Sequence, residues 1–344
     1  MPNPTLTDAI DALASRRSLS QEQTAAVLRE IMNDRATEVE IAGFLIGLRT
    51  KGETEEELAG LAQTMRSFAT PVKCERTDLL DTSGTGGGRR TFNVSTTAAL
   101  IAAGAGCAVA KHGNRSATSL SGSADVLEAL GARLDVGPQG VARCIDEAGF
   151  GFMFAPAHHS ATRFVVPVRK DLAVRTIFNF LGPLTNPAGA RRQLIGVVDP
   201  VMLDVMAGAL ARLGVDRALL VSSADGLDEM STSGETHVVE VNGTAIERYE
   251  VTPQELGIEP ASADAVAGGT PQDNAAATRA ILEGEPGPRR DIAVLNGGAA
   301  IYAAGQAASL AEGVEKAAEA VDSGAANDTL TAYVRLSEEL GGLL

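Results

Sequence analysis

Apolar positions change their period once along the chain, near Pro71. Before it they follow a helical repeat: Ile41, Phe44, Leu45 and Leu48 fall at i, i+3, i+4 and i+7. Ser20-x-x-Gln23, Thr37-x-x-Glu40 and Thr54-x-x-Glu57 each set a hydroxyl and, three residues on, an amide or carboxylate ahead of such a run. That arrangement lets the two side chains cap each other's backbone N–H at a helix start. A helical bundle follows, with an apolar stripe to bury against a neighbouring helix or a second subunit. After Pro71, short apolar segments at 78–80, 107–110, 151–154, 193–198 and 218–222 read as buried strands. Helical candidates at 95–105, 123–130, 139–148 and 201–213 lie between them. The alternation predicts an α/β fold with a largely parallel central sheet. Asn242-Gly243 joins 237–241 to 245–251 as a two-residue hairpin, so the sheet is expected to be mixed. From Gln272 onward the pattern is helical, with one further apolar strand expected at 292–295.

Composition narrows the class. The 344 residues favour two domains. With 44% hydrophobic and 21% charged residues the chain can bury a full core. A net charge of −15 repels phosphate backbones and anionic lipid, which disfavours nucleic-acid and membrane partners. Only 3% of residues are aromatic and none is Trp, so no base-stacking surface is expected. Cys74, Cys107 and Cys144 are far apart and lack metal-ligand spacing, which excludes a disulfide scaffold and a zinc site. The first ten residues carry no basic leader, and the longest apolar run, 97–110, is too short and too rich in Gly and Ala to span a bilayer. A cytoplasmic protein is the expectation.

Candidate chemistry concentrates in four clusters. Gly84-Thr85-Gly86-Gly87-Gly88 leaves a strand and leads through Asn93, Ser95 and Thr96 into a helix. Backbone N–H groups without a Cβ in the way can converge there on a phosphate, although an ordinary glycine-rich turn has the same composition. Neither GxxxxGK[ST] nor GxGxxG is present, which argues against a P-loop or a dinucleotide fingerprint. After the next strand come Lys111-His112-Gly113-Asn114-Arg115, Thr118-Ser119 and Ser121-Gly122-Ser123, a cationic and hydroxylic turn at the strand end where open α/β sheets bind ligands. The third cluster holds His158-His159, Arg163, Arg169, Lys170 and Arg175, then Gly182-Pro183; residues 157–192 have six Arg or Lys against one Asp, a local +5 suited to a small anion. Adjacent histidines point apart, so a metal on His158-His159 is disfavoured. Gly226-Leu227-Asp228-Glu229 offers hard carboxylate oxygens of the kind Mg²⁺ takes beside substrate phosphates.

Taken in order, GTGG…TFNVST, KHGNRS…SGSADVLEALG, FMFAPAHH, VRTIFNFLGPLTNP and GLDEMS resemble the motifs of the anthranilate phosphoribosyltransferases, from about Leu6 to Tyr333. The resemblance implies a small N-terminal helical domain, residues 1–72 completed by roughly 168–190, joined to a larger α/β domain at 73–167 and 191–344. It implies transfer of the 5-phosphoribosyl group from phosphoribosyl diphosphate to the anthranilate amine in tryptophan biosynthesis, with Mg²⁺, in a homodimer through the N-terminal helices. Matched position by position, Gly84, Thr85, Gly86, Gly87, Asn93, Ser95, Thr96, Lys111, His112, Gly113, Asn114 and Ser119 take the donor. Gly84, His112, Asn114, His159, Arg169, Gly182 and Pro183 take anthranilate, with Arg169 facing its carboxylate. Ser95, Asp228 and Glu229 take the metal.

One departure stands out. The family's usual acidic residue after GTGG is Gly88 here, the loop is one residue shorter, and Arg89 and Arg90 enter it. Altered metal dependence or substrate affinity is expected, because two arginines add anion attraction where a carboxylate is lost. Two other readings share parts of this pattern: a nucleoside phosphorylase relative, and a catalytically silent paralogue that binds another macromolecule. The segment FNFLGPLTNP disfavours the first; the charge and the intact Asp228-Glu229 disfavour the second.

Overall fold

The computed structural model describes residues 2–116 and 120–342. Four helices open the chain: α1 (Pro4–Ala14), α2 (Gln21–Met32), α3 (Glu38–Lys51) and α4 (Glu55–Phe68). The capping boxes at Ser20, Thr37 and Thr54 are all formed, which fixes where α2, α3 and α4 begin. The α/β part runs β1 (Leu79–Gly84), α5 (Val94–Gly104), β2 (Ala108–Gly113), α6 (Ser123–Ala129), α7 (Pro138–Ala148), β3 (Phe150–Phe154). Short helices α8 (Ala155–His158), α9 (Val166–Leu172) and α10 (Phe178–Leu181) lead to β4 (Arg192–Gly196), α11 (Val201–Arg212) and β5 (Arg217–Ser223). A hairpin of β6 (Thr236–Asn242) and β7 (Ala245–Val251) precedes α12 (Pro271–Leu282), α13 (Pro288–Ala303), α14 (Leu310–Asp322) and α15 (Ala325–Leu340). None of these helices is long and apolar enough to cross a membrane.

The seven strands lie in the order β3-β2-β1-β4-β5-β6-β7. The first five are parallel, and β6 and β7 run antiparallel. The sheet is mixed, as the hairpin implied. One face packs on α5 and α13–α15 through residues such as Leu100, Ile101, Leu295 and Ile301. The other face joins the bundle core: Ile195, Val197, Leu220 and Val239 share a cluster with Phe44, Leu61, Phe180 and Met206. The chain leaves β1 for β2 on one side and returns to β4 on the other, so the carboxyl ends of β1 and β4 diverge at a switch point, the place where such sheets bind ligands.

Three local expectations are corrected. Residues 292–295 are not a strand but lie inside α13, where Ile292, Ala293, Val294 and Leu295 are all buried. An apolar run of that length has no period, and Pro288 at the helix start was the missed signal. The hairpin loop is Gly243-Thr244, one residue later than expected, because Asn242 pairs with Ala245 and Gly243 takes the positive φ of 60°. Strand β1 runs on to Gly84 through Asp81, Thr82 and Ser83, whose polarity concealed it.

Candidate functional site

The switch point is built from glycine. Thr85 donates its N–H to the Gly196 carbonyl at 2.8 Å and its Oγ1 accepts from Val198 N at 3.2 Å, which pins the start of the loop to β4. Gly86 and Gly87 have φ of 66° and 87°, accessible without strain to glycine. Gly86 N donates to Asp228 Oδ2 at 2.9 Å, and a Cβ on Gly84 would lie 2.5 Å from the same oxygen. The loop is therefore a cradle that already accommodates a carboxylate.

Asp228 and Glu229 are both deeply placed at this cradle. Burial raises the Asp228 pKa above the ordinary carboxylate value. Burial, and then the neighbouring Asp228 charge, raise that of Glu229 well above it, and Glu229 Oε2 has no hydrogen-bond partner among the described residues. Two buried, poorly compensated carboxylates with a free oxygen fit a divalent cation, which would supply the missing charge and ligand contact. Opposite them Lys111, 1% exposed, donates to Thr82 O at 2.5 Å and Thr82 Oγ1 at 3.2 Å and lies 3.5 Å from Ser95 Oγ. Its burial lowers its pKa to about 8, while Asp81, buried behind it, is raised to about 6. Asp81 accepts from His112 N at 3.0 Å and Asn186 Nδ2 at 2.8 Å, so it fixes the backbone that carries the lysine.

The imidazoles on the second side of the site are neutral. His112 Nδ1 faces the Gly182 carbonyl at 3.2 Å and His159 Nε2 faces the Thr185 carbonyl at 3.1 Å. Carbonyls only accept, so those nitrogens carry the hydrogens and the opposite ring nitrogens keep lone pairs. Burial lowers His112 to about 3 and His159 to about 4, and each proton would also repel the neighbouring imidazoles. The two rings sit 5.1 Å apart, and His112 Nε2 is buried without a partner among the described residues. Arg169, at the end of α9, stands 5.5 Å from the Phe178 ring and forms no ion pair among the described residues. Burial lowers its pKa as well.

The expected residues therefore gather in two groups. Gly84, Gly86, Gly87, Ser95, Lys111, Asp228 and Glu229 surround the cradle, and His112, His159 and Gly182 form one contiguous wall. Asn93 sits between loops, accepting from Ser121 Oγ and Asn274 Nδ2, each at 2.9 Å. Thr96 is buried, its hydroxyl without a partner among the described residues. Asn114 is exposed, its Oδ1 accepting from Arg115 N and its carbonyl from Ala124 N. Gly113 is tight against Ser123, and Pro183 is buried with its carbonyl accepting from Gln193 Nε2. Thr118 and Ser119 lie outside the described residues. Arg89 is taken up by an internal carboxylate: its N–H donates to Gly226 O at 3.1 Å and its guanidinium to Asp225 at 3.3 Å and Ala263 O at 3.2 Å. Its charge is spent on anchoring the loop. Asp81, Asn186 and Asn274 were missed, and Arg175 stood out only for its charge. The first three support the site from behind, and no local spacing announces such contacts. A separate trio, Glu235, His237 and Glu250, gathers at the hairpin root, where His237 already pairs with Glu250 at 3.0 Å.

Comparison with known proteins defines the class first. The family described as the glycosyl transferase family a/b domain matches residues 76–327, and its helical bundle domain matches residues 7–69. The chain is a glycosyl transferase of this two-part architecture. It belongs to the anthranilate phosphoribosyltransferase family: it is 51% identical over 334 residues to the enzyme of Laribacter hongkongensis, covering 96% of this chain and 98% of that one. It is 52% identical over 316 residues to that of Natronomonas pharaonis, covering 90% and 95%. Among solved structures, anthranilate phosphoribosyltransferase from Thermus thermophilus superimposes with a TM-score of 0.92 at 46% identity, over 96% of this chain and 99% of that one. The Saccharomyces cerevisiae enzyme in complex with PRPP and Mg gives 0.89 at 28% identity, over 98% of each chain.

Proposed function

We propose that the chain transfers the 5-phosphoribosyl group of phosphoribosyl diphosphate to the amine of anthranilate, releasing diphosphate, as a cytoplasmic enzyme of tryptophan biosynthesis. The observation that carries this reading is the glycine cradle at the β1–β4 switch point, with Asp228 bonded to Gly86 N, Glu229 buried next to Asp228, and Lys111 reaching Ser95. We read the donor as bound by Gly84, Thr85, Gly86, Gly87, Asn93, Ser95, Thr96, Lys111, His112, Gly113, Asn114 and Ser119. We read the acceptor as bound by Gly84, His112, Asn114, His159, Arg169, Gly182 and Pro183. Ser95, Asp228 and Glu229 would hold Mg²⁺, which when bound supplies positive charge against the departing diphosphate. A yeast relative solved with PRPP and Mg and one solved with 4-fluoroanthranilate support the same assignment of ligands.

Departure of diphosphate leaves oxocarbenium-like charge at the sugar carbon, so the chemistry needs leaving-group stabilisation and an oriented nucleophile more than a strong base. Loop amides and Lys111 serve the first need. Arg169 serves the second by taking the acceptor's carboxylate in a charge-assisted pair. His112 Nε2 keeps a lone pair and is too weakly basic to hold a proton at neutral pH, which suits acceptance of an N–H from the incoming amine. We read residues 1–72 with 168–190 as the helical domain and 73–167 with 191–344 as the other. The dimer is assigned to the helical domain because α3 is apolar on both sides. Ile41, Phe44, Leu45 and Leu48 point inward, while Val39 at 81% and Ile46 at 37% exposure stand outward. Val39→Glu should give a monomer by light scattering; an unchanged mass for both forms sinks that assignment. Loss of anthranilate fluorescence on adding donor and Mg²⁺ tests the activity. Phosphorolysis of thymidine or uridine in place of that loss would favour the phosphorylase reading.

A further inference from the structure

Arg175 lies outside every role assigned above, yet its guanidinium rests on the glycine loop. Nη2 donates to the Gly86 carbonyl at 2.8 Å, and a Cβ on Gly87 would meet Nη1 at 2.7 Å. The guanidinium thus covers backbone that only glycine leaves open. In a trans peptide the C=O and the following N–H point in opposite directions, so gripping Gly86 O also sets the direction of the Gly87 N–H. The Gly87 and Gly88 amides donate to no group among the described residues. They are free for an anion, and the loop that presents them is exposed at Gly86 and Gly87.

Arg175 is itself held in place. Ala173 ends α9 in a left-handed conformation, φ 52° and ψ 26°, a strained choice for a residue with a Cβ that persists where the surroundings fix it. Arg49, on α3, donates Nη1 to the Arg175 carbonyl at 2.7 Å, and the next amide, Thr176 N, donates to Asn179 Oδ1 at 3.0 Å. A chain of contacts therefore runs from the helical bundle through Arg175 to the loop.

We infer that Arg175, braced by Arg49, is the positioning residue that aims the Gly87 amide at the diphosphate end of the donor. This rests on the transferase reading and goes beyond it, since it ties donor binding to a residue of the helical bundle that bonds Arg175 and not the glycine loop. A lysine at 175 keeps the charge but offers no planar fork, so charge and geometry are separable.

The test is calorimetric titration of Mg²⁺-loaded phosphoribosyl diphosphate into the full chain, alongside KM values for both substrates. Arg175→Ala should weaken donor binding about ten- to hundredfold, the loss expected for one charge-assisted hydrogen bond, with the anthranilate KM unchanged. Arg175→Lys should recover only part of it. Arg49→Ala, a change at an exposed side chain, should weaken the donor a few-fold with the melting temperature held. Unchanged donor affinity in these variants overturns the inference, as does full recovery by lysine or a rise confined to the anthranilate KM. If the wild type itself binds no donor, the transferase reading falls first and this inference with it, an outcome distinct from wild-type binding that the variants leave unaltered.

Discussion

The two ends of the site are built on opposite electrostatic plans. Around the cradle, carboxylates dominate: Asp228 and Glu229 are held above their ordinary pKa by burial, Arg175 caps the loop from outside, and the buried cation Lys111 is itself lowered to about 8. Around His112 and His159 the imidazoles are neutral and tied to carbonyls, Asp81 reaches the backbone N–H of His112 from behind, and the cation proposed for the acceptor is Arg169. The first end is incomplete alone and gains from a cation and an anion arriving together. On the proposed reading the second takes one flat monoanion. A reaction whose difficulty is losing diphosphate needs charge at one end and orientation at the other.

The widest gap between the ends should come from Asp228→Asn combined with Glu229→Gln. Steady-state assays should show kcat/KM falling about 10²–10³-fold, the scale of one lost electrostatic contribution to the transition state. In the absence of metal the same variant should melt higher than the wild type, because neutral isosteres relieve two desolvated carboxylates. A lower melting temperature would contradict the incomplete-end account. Next in size, Arg169→Ala should raise the anthranilate KM about ten- to hundredfold while the donor KM moves little. The reverse pattern would remove Arg169 from the acceptor end.

The neutral end has its own pH signature. In the unfolded chain a histidine protonates near its ordinary 6.5, whereas folded His112 and His159 do so only at about 3 and about 4. Below 6.5 the unfolded state binds the extra protons, so this contribution to stability is complete above that pH and is lost as pH falls. The loss proceeds at up to about 1.4 kcal/mol per pH unit for each imidazole. Asp81, raised to about 6, works in the opposite direction as pH falls between 6 and 3.8, so the comparison must be made against a variant. His112→Gln with His159→Gln should flatten the slope of denaturant midpoint against pH between 6.5 and 4, and an identical slope would show that these rings titrate normally. The smallest effect concerns Gly88, whose Cβ would lie 2.8 Å from Gly226 O, 2.9 Å from Val198 Cγ2 and 3.1 Å from Asp228 Oδ1. Gly88→Asp should shift the Mg²⁺ titration of activity by pressing on Asp228; superimposable curves would dismiss the idea.

The difference between the ends also explains what the sequence could reveal. Capping boxes, strand periods and the glycine run are local signals, so the helix starts at Ser20, Thr37 and Thr54 and the cradle itself were readable. What escaped depends on residues far apart in the chain. Asp81 is, in isolation, an ordinary strand residue, and only its bonds to His112 and Asn186 make it a support. Arg89 looked like anion attraction until Asp225, 136 residues away, claimed it. Arg175 was one charge in a basic stretch until its grip on Gly86 emerged, 89 residues back. The apolar run at 292–295 failed for another reason: inside a helix buried on all sides no period survives to separate helix from strand.

The central claim, that the cradle with Asp228 and Glu229 is a metal-assisted diphosphate site, is tested most directly by calorimetry of phosphoribosyl diphosphate with the wild-type chain, with and without Mg²⁺. Saturable one-to-one binding per chain that weakens at least tenfold when Mg²⁺ is chelated is the predicted result. Absence of binding by folded protein, or an affinity indifferent to Mg²⁺, would contradict it.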